Sequence, residues 1–294
     1  MTSTYLEVLA TGPRTLIQDL GRPGLAHLGV GRSGAADRAS HLLAQRLLGN
    51  PGESAGLEIT LGGFRARAHG DCLVALTGAD APLQVAGRPI GHAALQYVAH
   101  GQEISLGMAE RGLRVYLAVR GGIDVKPVLG SRSHDTLCGL GPEPVLPGTL
   151  LPIGTAGKVV PSIDAAPTAP AGLPEAGEVV LTYEPGPRAD WLAQPGALAE
   201  TSWRVSNRSD RVGIRLENPD GITLARHPDK EGVELASEGV VRGSIQVPSG
   251  GEPVIFLADH PVTGGYPVAG IVVPADVDRA AQARPGQRLR LRRG

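Results

Sequence analysis

Aromatic residues are scarce: two Trp, five Tyr and two Phe in 294 residues. That is too few to build the stacking platforms along which proteins bind single-stranded nucleic acid. Charge of one sign is missing as well. Lys and Arg total 28 against 29 Asp and Glu, a net charge of −1. No basic field is available for nucleic-acid phosphates or an anionic membrane, so neither is expected as a partner. No run approaches the roughly 20 apolar residues that a bilayer-spanning helix needs. There are only two cysteines, Cys72 and Cys138. The start, Met1-Thr-Ser-Thr-Tyr-Leu-Glu7, has neither a basic n-region nor an apolar h-region. A soluble cytoplasmic protein with reduced thiols is therefore expected. None of the eight histidines is paired at metal-ligand spacing, and with two distant cysteines there is no zinc pattern. Ser131 and Ser133 lack the flanking sequence of a nucleophile elbow, and Gly154-Thr-Ala-Gly-Lys158 lacks the spacing of a phosphate loop.

Turn formers are plentiful instead. The 42 Gly and 25 Pro are nearly a quarter of the chain, yet 41% of residues are hydrophobic, a turn-dense globular composition that suits a β-rich fold. Short apolar runs such as Cys72–Thr77, Val115–Val119, Val179–Tyr183, Pro253–Ala258 and Ala269–Val273 read as buried strands of a sandwich or barrel. A glycine turn followed by alternating apolar residues recurs at Gly101–Leu106, Gly148–Ile153 and Gly286–Leu291. The last two close the two halves, a hint of two barrels of related build. Four prolines among small residues mark 161–177 as a linker between an N-terminal domain, 1–160, and a C-terminal domain, 178–294. Helices are few. Arg38–Leu48 has Asp37 as N-cap, an apolar stripe of Ala39, Leu42, Leu43 and Leu47, and Gly49 as stop. A second helix is expected over Asp276–Ala283, and something short near Arg188–Leu192.

Gly29-Val-Gly-Arg-Ser-Gly34 matches the dinucleotide-binding fingerprint by letter, but Gly21-Arg-Pro-Gly24 breaks the chain where the fingerprint needs a strand. The informative residues lie in other glycine-rich turns. They include Gln18-Asp-Leu-Gly-Arg22, Ser33 and Asp37, and Glu58 between apolar neighbours, facing either water or a cavity. Asp19 and Arg22 also read as a surface ion pair, and Asp37 as a helix cap alone. Arg120 in Val119-Arg-Gly-Gly122, and Arg132 with Ser133 in Gly130-Ser-Arg-Ser133, have the make-up of a carboxylate or phosphate grip. In the second half, Asn207, Arg208, Arg211 and Arg215 cluster within ten residues, followed by Glu238, Gln246 and Asp259. Thr263-Gly264-Gly265-Tyr266 offers backbone N–H groups between two hydroxyls, suited to an anion or simply a tight connection between strands.

Eight collinear motifs make a resemblance visible: Gln18–Arg22, Leu57–Gly63, Tyr116–Ile123, Gly130–Ser133, Ser206–Arg208, Ser237–Val241, Gly243–Pro248 and Thr263–Pro267. Together they resemble the allophanate hydrolase subunit 2 family, which includes KipA and the C-type subunit of bacterial 5-oxoprolinase. The family is similar to part of the carboxyltransferase region of urea carboxylase. The resemblance implies a mostly β chain with two cyclophilin-like β-barrel domains and a few short helices. It implies a complex with a smaller KipI-like partner and, in the 5-oxoprolinase case, with a LamB/YcsF-type partner as well. Such a complex opens the small-molecule lactam 5-oxo-L-proline to L-glutamate with ATP hydrolysis. By residue type, and not by family membership, the candidates for phosphate or carboxylate in that chemistry are Arg22, Arg120, Arg132, Arg208, Arg211 and Arg215. Asp259, Glu238 or Asp37 would hold magnesium or accept a proton, and Thr263 to Tyr266 would orient substrate. A carboxyltransferase role would need biotin carried by another protein, since the chain has no Ala-Met-Lys-Met. A KipA-like regulatory role would need only a partner surface.

Overall fold

Period-two burial accounts for many of the strands. Along Arg288–Arg293 both leucines are buried and the arginines exposed, and along Phe64–His69 Phe64, Ala66 and Ala68 are buried while Arg65 is exposed. This is the alternation of a pleated strand with one wet face. Removing each such leucine from water is worth about 1.5–3 kcal/mol. The computed structural model describes residues 4–158, 165–166 and 177–294. Two units emerge, and they are not simple consecutive halves. The first comprises Met1–Arg22, Ser33–Asp135 and Gly139–Leu173; the second takes Pro23–Arg32, Thr136–Cys138 and Pro174–Gly294. The expected linker, 161–177, lies outside the described residues except for Ala165, Ala166 and Gly177.

The first unit holds two sheets. One runs in the order Leu150–Pro152, Tyr5–Thr11, Phe64–His69, Glu103–Leu106, Leu83–Val85, Arg88–Ile90. The other runs Arg14–Gln18, Gly56–Thr60, Arg111–Val119, Cys72–Asp80, Leu95–Val98. Leu6, Val8, Phe64 and Ile104 of the first sheet share one core with Leu57, Ile59, Leu76 and Val115 of the second. Helix α1 (Arg38–Leu47) adds a further layer, in which Ala44, Leu47 and Leu48 pack with Ala75 and Ala118 of the five-stranded sheet. The central strands of that sheet are therefore buried on both faces, which is why they read as continuous apolar runs rather than alternating ones.

Asp37 caps α1 as expected: its side chain accepts from the Ser40 N–H at 2.9 Å and the Ser40 hydroxyl at 2.6 Å. The buried stripe of α1 differs from expectation. It is His41, Ala44, Gln45 and Leu47, while Ala39 is exposed and Leu42 and Leu43 are half-buried. The rotation follows from polar anchoring. Gln45 donates to Ser54 O at 3.0 Å and accepts from Asn50 at 2.8 Å, tying the end of the helix to the following loop.

The second unit closes into a seven-stranded barrel. Its order is Val179–Pro185, Val268–Val272, Ser244–Gln246, Val254–Phe256, Gly213–Glu217, Trp203–Val205, Arg288–Arg293, which returns to the first strand. Trp203 is fully buried, and its indole N–H donates to Leu198 O of helix α2 (Ala197–Glu200) at 2.9 Å. Helix α3 spans Pro274–Ala280, starting and ending earlier than expected because Pro274 supplies its first turn. Near Arg188 the short element is a single 3-10 turn, Ala189–Trp191. The recurring glycine turns are one device: Gly101, Gly148 and Gly286 have φ of 81°, 87° and 82°, a region that favours glycine. The strands they lead into differ, however. Leu150–Pro152 is antiparallel to Tyr5–Thr11, whereas Arg288–Arg293 is parallel to Val179–Pro185. The expected mostly β, barrel-type fold is what the chain adopts.

Candidate functional site

In the first unit, strand Arg14–Gln18 delivers Asp19 into a buried polar node. The Asp19 carboxylate accepts from the Gly21 N–H at 2.7 Å, the Ser131 hydroxyl at 2.7 Å, the Ser133 hydroxyl at 2.5 Å and the Arg132 N–H at 2.6 Å. Arg22 is 2% exposed and donates one Nη2 bond to Ser133 O, while its Nε and Nη1 have no hydrogen-bond partner. The Gln18 side-chain carbonyl is equally buried and equally unmet. Such atoms are costly away from water, and an incoming acceptor or donor would relieve them. Asp19 and Arg22 are thus buried, each bonded to the Gly130–Ser133 turn rather than paired at the surface.

Beside this node lies Glu58, which neither faces water nor stands free in a cavity. It accepts from the Ala36 N–H at 2.9 Å and the Tyr116 hydroxyl at 2.8 Å, and Arg114 approaches to 3.5 Å. Burial, then the charges of Glu58 and Asp37, push the Tyr116 phenol well above its ordinary range. Tyr116 therefore stays a donor and in turn accepts from the Asp37 N–H at 2.8 Å. His41, packed edge-on against Tyr116, has its pKa lowered by burial.

In the second unit, Asp259 is fully engaged. Arg211 donates Nε at 2.8 Å and Nη2 at 3.0 Å, and Thr136 donates its N–H at 2.9 Å and hydroxyl at 2.7 Å. Glu238 is gripped by Arg188, whose hydrogen bonds hold the carboxyl below its usual range. Gly264 pairs with Glu238 in a two-stranded ribbon, and a side chain there would meet the Gln246 amide at 2.5 Å. The same Gln246 amide donates to Tyr266 O at 3.1 Å. That bond sets the edge of a cleft of ≈ 890 Å³ whose lining includes Arg226, Glu231, Glu234, Ser249, Gly265 and Tyr266. Arg226 lies over the Trp191 ring at 5.4 Å and donates Nη1 to Val233 O at 2.8 Å; its buried Nε is unmet. A guanidinium, two carboxylates and the hydroxyls of Thr223, Ser249 and Tyr266 around one cleft can hold a small carboxylate while exchanging a proton with it.

The expected site residues fall into separate groups. Arg22, Arg132 and Ser133 meet around Asp19, although the Arg132 guanidinium turns to Val125 O and Asp124. Asp37 caps α1, and Arg120 lines a different cavity of the first unit. Asp259 and Arg211 pair with each other. Gln246, Gly264, Gly265 and Tyr266 sit at the cleft or its edge, and Thr263 lies exposed beside Gly264. Arg208 bonds Glu217 and Glu252 at the surface, with Asn207 and Arg215 exposed nearby. Within the second unit Glu238 and Asp259 have separate partners, Arg188 and Arg211, and among the described residues no group of three His, Cys, Asp or Glu could hold a metal ion. Sequence reasoning missed Arg226, Arg188 and Thr136. Trp191, one of only two tryptophans, was the available signal for Arg226, since arginine stacks readily on indole.

Two β-rich units, each with a buried polar node, and a wide cleft in the second give the chain a carboxyltransferase-like architecture. Residues 28–293 match the family described as carboxyltransferase domain, subdomain A and B, and the chain belongs to it. It is 34% identical to the C-type subunit of 5-oxoprolinase from Escherichia coli (strain K12) over 289 residues, covering 96% of this chain and 89% of that protein. It is similar to the crystal structure of TTHA0988 with a TM-score of 0.86 and 33% identity, covering 99% of this chain but 56% of that one. It is also similar to the crystal structure of the K. lactis urea amidolyase, with a TM-score of 0.89 and 27% identity, covering 99% of this chain and 19% of that one. The chain thus spans about half or less of these two larger chains. No helix among the described residues is long and apolar enough to cross a membrane.

Proposed function

We propose that this chain is the C-type subunit of a cytoplasmic, ATP-dependent 5-oxoprolinase. It acts with a KipI-like partner and a LamB/YcsF-type partner to hydrolyse 5-oxo-L-proline to L-glutamate. The observation that carries this reading is the match to the E. coli 5-oxoprolinase protein over 96% of this chain and 89% of that one. The second-unit cleft is the proposed substrate site, with Arg226 on the lactam's carboxylate, the Tyr266 hydroxyl orienting the ring, and Glu231 or Glu234 exchanging the proton. Arg22 is the proposed anion donor of the first unit. Magnesium–ATP does not fit the three acids whose residue type suggested them for it. Asp259 is occupied by Arg211 and Thr136, Glu238 by Arg188 and Asp37 by Ser40. No step is therefore assigned to ATP on this chain, and its activation of the lactam carbonyl belongs to the assembled complex.

The test is release of ADP and glutamate from 5-oxoproline and ATP by the chain alone, with the KipI-like partner, and with both partners together. Turnover only in the full mixture, lost in Arg226→Ala with the complex intact, is the expected result. Absence of turnover from a confirmed complex of all three proteins overturns it. The family match favours one second reading, carboxyl transfer to a urea-like or lactam substrate. That reading requires a biotinyl carrier protein, and addition of such a carrier to the same assay distinguishes the two.

A further inference from the structure

Two cations share one indole at the second-unit cleft. Backbone pairing sets the first. The His227 N–H donates to Trp191 O at 2.8 Å and the Ala193 N–H to Ala225 O at 3.0 Å, which lays Arg226 beside Trp191 with its guanidinium carbon 5.4 Å from the ring centroid. The second cation comes from the turn that follows. Pro228 opens a single 3-10 turn, Pro228–Lys230, in which the Lys230 N–H donates to His227 O at 2.8 Å. In so tight a turn, residues about three apart lie over one another. Lys230 thus returns over His227, and its ammonium stands 5.5 Å from the same ring centroid. Trp191 is 6% exposed, a fixed floor for both.

Each cation is attracted to the ring, but the two repel each other. Among the described residues neither has a carboxylate at ion-pair distance; the nearby Asp229 stands 3.7 Å from His227 instead. Arg226 gives one Nη1 bond to Val233 O and keeps its buried Nε unmet. Two positive groups whose separation is set by one ring suit a molecule with two carboxylates. Glu231 and Glu234 line the same cleft, so a dicarboxylate that also bears an ammonium matches its signs better than a bare dianion. Opening of a lactam has that outcome. Its C–N bond breaks, the carbonyl carbon takes the oxygen of water and becomes a carboxylate, and the nitrogen takes both protons of the water and becomes an ammonium.

We propose that Lys230 is a specificity residue of this cleft, holding the second carboxylate of a small acidic amino acid whose first carboxylate is on Arg226, so that the cleft prefers the opened dicarboxylate to the lactam. The proposal rests on the reading of the cleft as the substrate site, but it concerns binding alone and needs neither partner proteins nor ATP. The probes are L-glutamate, its neutral-amide counterpart L-glutamine, and 5-oxo-L-proline. Each is titrated at constant ionic strength into the 15N-labelled full chain and followed by NMR at the Trp191 indole and the Gly265 amide. The expected result is saturable shifts with L-glutamate, and binding at least about tenfold weaker for L-glutamine and 5-oxo-L-proline. Lys230→Met should erase the advantage of glutamate over glutamine and leave glutamine binding unchanged, whereas Lys230→Arg, which keeps the charge, should retain it. A merely structural Lys230 would weaken all three ligands alike in Lys230→Met. Equal affinity for glutamate and glutamine, an advantage that survives Lys230→Met, or no saturable shift with L-glutamate overturns the proposal. A Lys230-dependent glutamate advantage with no binding of 5-oxo-L-proline upholds the dicarboxylate site and removes the cleft as the lactam's site.

Discussion

Asp259 and Arg211 form a two-pronged ion pair inside the second unit, with N–O distances of 2.8 and 3.0 Å and side chains 0% and 3% exposed. Thr136, from a short segment far away in sequence, donates twice more to the same carboxylate. The pair is a fastener that ties three stretches of chain. Removing Arg211 takes the paired cation away from the buried Asp259 carboxylate.

Arg211→Met should therefore lower the stability of the second unit by about 3–5 kcal/mol. Thr136→Val, which removes one hydroxyl donor, should cost about 1 kcal/mol. Both tryptophans, Trp191 and Trp203, belong to that unit, so urea unfolding followed by tryptophan fluorescence reads the shift directly. Equal, small effects of both substitutions would show that the pair is dispensable.

The cap of α1 is a second test. Asp37→Ala removes two acceptor contacts to Ser40 and is expected to cost about 1 kcal/mol, whereas Asp37→Asn, which keeps an acceptor, should cost less. Circular dichroism of thermal unfolding measures both.

His41 sets a pH dependence. Burial holds its pKa below the ordinary 6.5, so as pH falls below that value the unfolded chain takes up a proton that the folded chain refuses. Stability contributed by neutral His41 is present above pH 6.5 and declines as the solution is acidified. His41→Gln should flatten this decline between about pH 6.5 and pH 5 in denaturation measurements. Parallel curves for the two proteins would remove His41 as the cause.

The two thiols should react unequally. Burial, and then the charge of Asp71, push the Cys72 thiol up to about 11, whereas Cys138 is exposed. A thiol-specific reagent near pH 8 should label one site rapidly on the folded chain and both after denaturation, because the thiolate is the nucleophile. Mass spectrometry of the labelled peptides identifies the site. Fast labelling of Cys72 would contradict the buried, proton-retaining environment.

Local rules in the sequence determined much of the scaffold. The Asp37 cap, the glycine turns at 101, 148 and 286, and the alternation along Arg288–Arg293 are short-range effects of side-chain geometry and backbone freedom, so they could be read from neighbouring residues. The resemblance carried by eight collinear motifs likewise needed no coordinates. Tertiary structure alone decided what the polar residues do. Glu58 sits between Leu57 and Ile59, which say only that a strand passes; that it meets Tyr116, Ala36 and Arg114 depends on pairing across the sheet. Thr136 and Asp259 are 123 residues apart, and no local period links them. Arginines that look alike in sequence diverge for the same reason: Arg211 is buried against the Asp259 carboxylate, Arg208 reaches two carboxylates at the surface, and Arg22 is buried with donors unmet. Burial and partner are properties of the packed chain, and for an ionic side chain they decide whether it fastens, solvates or binds.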